Sequence, residues 1–73
     1  MIKINGIYRH YKGNLYKVLC IGKHTETMED LVIYQAMYGE QLIWCRPVNM
    51  WTEEIEFNGN KIKRFGLIED YNG

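Results

Sequence analysis

Short runs of alternating or β-branched residues recur along this chain, separated by Gly and Asn clusters, and that pattern predicts strands. The stretch around which the rest is organised is Gly6–His24, which reads as two strands joined by a tight turn at Gly13–Asn14. In the first of these, Ile7 to Tyr11, alternation puts Ile7, Arg9 and Tyr11 on one side and Tyr8 and His10 on the other. That split is not apolar against polar, so the strand offers its second face to a ligand. In the second, Leu15 to Lys23, Tyr16, Val18, Cys20 and Gly22 share one face and Leu15, Lys17, Leu19 and Ile21 the other. Both faces are largely apolar, which fits a strongly curved central strand with a bend or bulge at Gly22.

His24 to Asp30 is polar and cannot be a buried strand. The Thr27–Asp30 spacing allows one helical turn, and a connecting loop satisfies the pattern equally well. Leu31–Tyr38 and Leu42–Arg46 are β-branched and aromatic and read as strands around a Gly39–Gln41 turn, with Pro47 ending the second. Val48 and Trp51 suit a single 3₁₀ turn that drops a side chain into the core. Thr52–Phe57 and Lys61–Phe65 flank Asn58–Gly59–Asn60 as a hairpin, with Ile55, Phe57, Ile62 and Phe65 turned inward and Glu54, Glu56, Lys61 and Lys63 outward. Gly66–Gly73 reads as a tail in which Leu67 and Ile68 dock. The whole is an all-β chain: one small SH3-like barrel domain of five or six short antiparallel strands, with a core over 6–68 and a tail over 69–73. An oligonucleotide-binding-type barrel ranks second because no clear helix bridges its strands.

With 73 residues the core is small, and six Tyr, two Trp and two Phe are its natural filler. Net charge is zero, but its distribution is uneven. Residues 1–25 hold Lys3, Arg9, Lys12, Lys17 and Lys23 and no acid, whereas residues 26–57 hold seven acids and only Arg46. The two halves either neutralise one another in the fold or leave a basic face for a partner. The amino-terminal residues contain no signal-like apolar run and nothing approaches a membrane span, so a cytoplasmic protein is expected. Cys20 and Cys45, flanked by apolar neighbours, read as buried thiols.

Metal ligation finds no support: His10, His24, Cys20 and Cys45 lack paired spacing. There is no Ser in the chain, and no nucleophile stands beside a base, so no catalytic residue is assigned and no cofactor is implied. Two constellations remain. His10, His24 and Glu26 would form an acid–base or small-molecule site if the hairpin brought them together; otherwise His24 and Thr25 fix their loop through backbone hydrogen bonds. Tyr8, His10, Tyr11, Tyr34, Tyr38, Trp44 and Arg46 combine aromatics with cations, and Trp44 and Arg46 share a strand face. That is a stacking platform for an extended partner, single-stranded nucleic acid or peptide. The competing arrangement has Trp44 fill the barrel and Arg46 pair with Glu26 or Glu29.

Gly6–Gly13 (GIYRHYKG), Tyr16–Leu19 (YKVL), His24–Thr27 (HTET), Val32–Tyr34 (VIY) and Trp44–Met50 (WCRPVNM) together resemble the short bacterial family known as domain of unknown function 1653. The resemblance runs from about Gly6 to Ile68. It departs at Cys20, where Gly is common, and at Lys63, where Pro is common. It implies an SH3-like barrel and a bacterial or phage origin, and carries no activity. The function classes left are a binding module on the aromatic and basic surface, a small-molecule or hydrolytic site at His10, His24 and Glu26, and an oligomerisation or accessory unit.

Overall fold

The computed structural model of the protein describes residues 1–71. In chain order its elements are β1 (Ile7–His10), β2 (Leu15–Lys23), β3 (Asp30–Ala36), β4 (Ile43–Pro47), α1 (Val48–Trp51), β5 (Glu54–Phe57), β6 (Asn60–Lys63) and β7 (Phe65–Ile68). Five strands form one antiparallel sheet in the order β4-β3-β2-β1-β7, and β5 and β6 make a separate hairpin. The all-β class expected from the sequence is observed, in an arrangement compatible with an SH3-like barrel.

The strand count rises to seven because Arg64 moves the chain from one sheet to the other. Its N–H donates to the Glu53 carbonyl at 3.1 Å, and its own carbonyl accepts from Tyr11 N–H at 3.0 Å. Phe65–Ile68, read from sequence partly as hairpin and partly as tail, is thereby a strand that pairs with β1 from His10↔Phe65 to Ile7↔Ile68. The β5–β6 hairpin turns on Asn58 and Gly59, both at positive φ (53° and 81°), the signature of a type I′ turn. Phe57, expected to face inward there, is exposed. The turn before β5 is α-type rather than 3₁₀, since Thr52 N–H donates to the Val48 carbonyl four residues back at 3.0 Å.

In β2 the irregularity falls at Leu19, not at Gly22: Val18 pairs with Tyr34 and Cys20 with Ile33, so Leu19 is the extra residue of a bulge. The bulge reverses the parity of everything after it. Cys20, which unbroken alternation puts beside buried Val18, turns outward in register with Ile33 and Cys45. Both thiols are free and exposed, not buried.

The core is Tyr8, Val18, Val32, Tyr34, Trp51 and Phe65. Trp51, carried in by α1, lies flat on Phe65 (centroids 3.7 Å apart, planes 5° apart), with Tyr8 and Tyr34 edge-on at 5.3 and 4.8 Å. Burying a side chain of this size contributes roughly 1.5–3 kcal/mol, so a handful of aromatics can carry a domain this small. The amino-terminal arm closes beneath: Ile2 packs on the core, Lys3 N–H donates to the Tyr8 hydroxyl at 2.9 Å, and Gly6 N–H to the Lys3 carbonyl at 3.0 Å. A Cβ on Gly6 would stand 2.9 Å from that carbonyl oxygen. Among the described residues no helix is long and apolar enough to cross a membrane.

Candidate functional site

The register of β3 on β4 sets Tyr34 opposite Trp44 and Val32 opposite Arg46. Paired residues share a face, so Trp44 and Arg46 point to the same side as the buried Tyr34 and Val32. Because β4 is the sheet's edge, the Trp51–Phe65 stack does not cover it, and Trp44 remains 50% exposed. Tyr16 enters from β2 and Tyr38 from the β3–β4 connection. With Tyr34, Trp44 and Arg46 they line a concavity of about 240 Å³. Tyr16 stands edge-on to Tyr34 at 5.5 Å and to Tyr38 at 5.6 Å, and the Tyr16 and Tyr38 hydroxyls are 2.8 Å apart, sharing a hydrogen bond. Arg46 Nε donates to the Tyr34 hydroxyl at 3.5 Å, and its guanidinium lies 5.6 Å from the centre of the Phe65 ring.

Partial burial first, and then the hydrogen bond and charge of Tyr38, push the Tyr16 hydroxyl up to about 12, so it stays a neutral donor throughout the physiological range. His10 borders the same region, 5.0 Å from Phe65 and 6.4 Å from Tyr16 between ring centroids. Its pKa is lowered, chiefly by burial and then by the positive charges of Arg46, Arg64 and Lys12. Its Nδ1 accepts the Lys12 N–H at 3.2 Å, as a neutral imidazole does. Ion pairs among the described residues are Lys23–Asp30 at 2.8 Å and Arg64–Glu53 at 3.1 Å; Arg46 takes part in neither. The groove is thus aromatic, rich in hydroxyls and locally positive.

Of the residues singled out from sequence, Tyr34, Tyr38, Trp44 and Arg46 come together, with His10 at their border. Tyr8 does not join them: it is 6% exposed and part of the core, because its side of β1 faces Trp51. Tyr11 packs against His10 (4.5 Å) and Phe57 (5.8 Å), just past the end of β1. His24, Thr25 and Glu26 sit in the β2–β3 loop, where His24 Nδ1 accepts the backbone N–H of Glu26 at 3.1 Å and of Thr27 at 3.3 Å. The nine residues of β2, at roughly 3.3 Å each, lie between that loop and the β1–β2 turn beside His10, so the three acid–base candidates do not converge. The arrangement with Trp44 as barrel filler is likewise replaced, since Trp51 takes the place in the core, and Arg46 pairs with neither Glu26 nor Glu29. Among the described residues no three His, Cys, Asp or Glu are grouped to hold a metal. Sequence reasoning missed Tyr16. The available signal was its place two residues before Val18 on the same strand face, ahead of the bulge.

No curated protein matches the chain. Its fold is similar to the crystal structure of a DUF1653 protein from Bordetella bronchiseptica, with a TM-score of 0.84, 27% sequence identity, and coverage of 97% of this chain and 94% of that one. Residues 6–67 match the family described as "Protein of unknown function (DUF1653)", in line with the resemblance carried by the five sequence motifs. The chain belongs to the DUF1653 family.

Proposed function

We propose that this protein is a non-enzymatic binding module that takes single-stranded nucleic acid across the Tyr16–Tyr34–Tyr38–Trp44–Arg46 groove. The observation that carries this reading is the half-exposed Trp44 beside an arginine with no carboxylate within ion-pair distance among the described residues. An exposed indole is a platform for a base, and each base stacked on an aromatic is worth about 1–3 kcal/mol. A proline-rich peptide also uses aromatic grooves, but it has no need of the cation. Burial and then the charges of Arg46, Arg64 and Lys12 depress the His10 pKa, and of these only Arg64 is held by a carboxylate among the described residues, which favours a polyanion although the chain's net charge is zero. A bacterial, cytoplasmic setting belongs to the same reading, supported by the Bordetella relative and by two free thiols.

The test is an amide-shift titration of labelled protein with short single-stranded DNA and RNA at low and high salt. Shifts at Tyr16, Tyr34, Trp44 and Arg46 that shrink as salt rises are expected, and Trp44→Ala should lose most of the binding. Absent or salt-independent binding overturns the proposal, and saturable binding of a proline-rich peptide in its place reassigns the groove to peptides.

A further inference from the structure

Resting on the nucleic-acid reading, we infer that the groove holds a single backbone phosphate at Arg46, so that the module grips one nucleotide step, its base on Trp44 and its phosphate on the guanidinium. Among the described residues Arg46 is the only cation lining the concavity. Of the other cations that act on His10, Arg64 is held by Glu53 at 3.1 Å, and Lys12, whose ammonium lies over the Tyr11 ring at 5.8 Å, does not line the concavity. With Nε directed to the Tyr34 hydroxyl, Arg46 keeps its two Nη groups for a ligand, and a guanidinium fork matches the paired oxygens of a phosphate.

The tyrosines complete the cradle by proton count. Tyr34 oxygen accepts from Arg46, which leaves its own O–H free to donate. Tyr16 and Tyr38 have two protons between them and one mutual hydrogen bond, so one O–H remains to point elsewhere. Tyr34 is itself 6% exposed, a buried donor whose position is set by the core rather than by solvent.

A single phosphate contact has a numerical signature. On single strands log K falls with log salt at a slope of about −0.7 per phosphate neutralised, so affinity should drop only about threefold between 50 and 200 mM salt. The probe is a decathymidylate, followed by quenching of the exposed Trp44, with Trp51 shielded in the core. The expected results are a slope of about −0.7 for the native protein, a slope near zero and roughly tenfold or greater loss at low salt for Arg46→Met, and an intermediate affinity with the slope retained for Arg46→Lys. Arg46→Lys, which keeps the charge, preserves the test if Arg46→Met does not fold. A native slope of about −1.4 or steeper, the value for two or more phosphates, or an unchanged slope in Arg46→Met, overturns the single-phosphate subsite; if binding still depends on Trp44, the broader reading survives. No quenching at any salt overturns both.

Discussion

Trp51 and Trp44 belong to the same side of the five-stranded sheet, yet one is 2% exposed and the other 50%. The difference is one of neighbours rather than of residue type. Trp51 arrives on α1 over the middle of the sheet, where Tyr8, Tyr34 and Phe65 enclose it on several sides. Trp44 lies on the edge strand, opposite Tyr34, with no further strand of the described residues beyond it. The indole over the centre of the sheet is core, and the one at its edge is surface. An aromatic left at an edge beside an arginine is a place for a ligand; the same aromatic over the centre is stability.

The largest effect that bears on this contrast is the loss of Trp51. Trp51→Ala should remove about 3–5 kcal/mol, close to the entire stability of a domain this size, and leave the chain unfolded or barely folded at room temperature. Trp51→Phe should lose much less, because it keeps a ring against Phe65 and deletes an indole N–H that meets no protein acceptor among the described residues. Trp44→Ala, by contrast, should shift stability by no more than about 0.5 kcal/mol, as befits an exposed position. Denaturant unfolding of the three variants tests the contrast, and similar losses for Trp51→Ala and Trp44→Ala would abolish it.

A middle-sized effect is expected at Gly6, where the arm passes under the core half of the sheet. An added methyl meets the Lys3 carbonyl at 2.9 Å and Leu67 at 3.2 Å, and a backbone atom cannot move aside as a flexible side chain does. Gly6→Ala should cost about 1–3 kcal/mol and leave groove chemistry unchanged, since Gly6 lines none of it. If the folded Gly6→Ala protein also lost groove binding, core and groove would have to be treated as one unit.

Most of the fold was legible where a local rule leaves one solution. Asn58–Gly59 announced its hairpin, the Val48–Trp51 spacing announced a turn delivering a side chain to the core, and Gly13 marked the central hairpin. What alternation could not reveal was a change in parity. The Leu19 bulge is set by pairing with β3, and no residue type at Leu19 signals it, so Cys20 was assigned to the wrong face. Arg64 likewise stands in an unbroken β pattern, and only its bonds to Glu53 and Tyr11 divide β6 from β7. Strand alternation correctly joined Trp44 to Arg46, but which aromatics were core depended on where α1 lands, and this placed Tyr8 inside and left Trp44 outside.

The smallest expected effect lies at the border between the two regions, at His10. Its folded pKa is lowered from 6.5, so the unfolded chain binds the proton more tightly. The stabilising contribution of neutral His10 is therefore fully present above about 6.5, declines as pH falls from there through the folded pKa, and is spent below it. Because the ring is only partly buried, the change should be modest, and His10→Gln should flatten it. Imidazole proton shifts followed by NMR against pH separate the causes. Arg46→Met should raise the His10 pKa part of the way towards 6.5, leaving the depression due to burial, Arg64 and Lys12, and in the native protein oligonucleotide binding should raise it by bringing a phosphate's negative charge to Arg46. A His10 that ignores Arg46→Met would show that the guanidinium swings away from the groove border in solution, and the positive potential invoked for the groove would then have to come from Arg64 and Lys12 alone; a His10 that titrates at 6.5 in the native protein would remove that potential altogether.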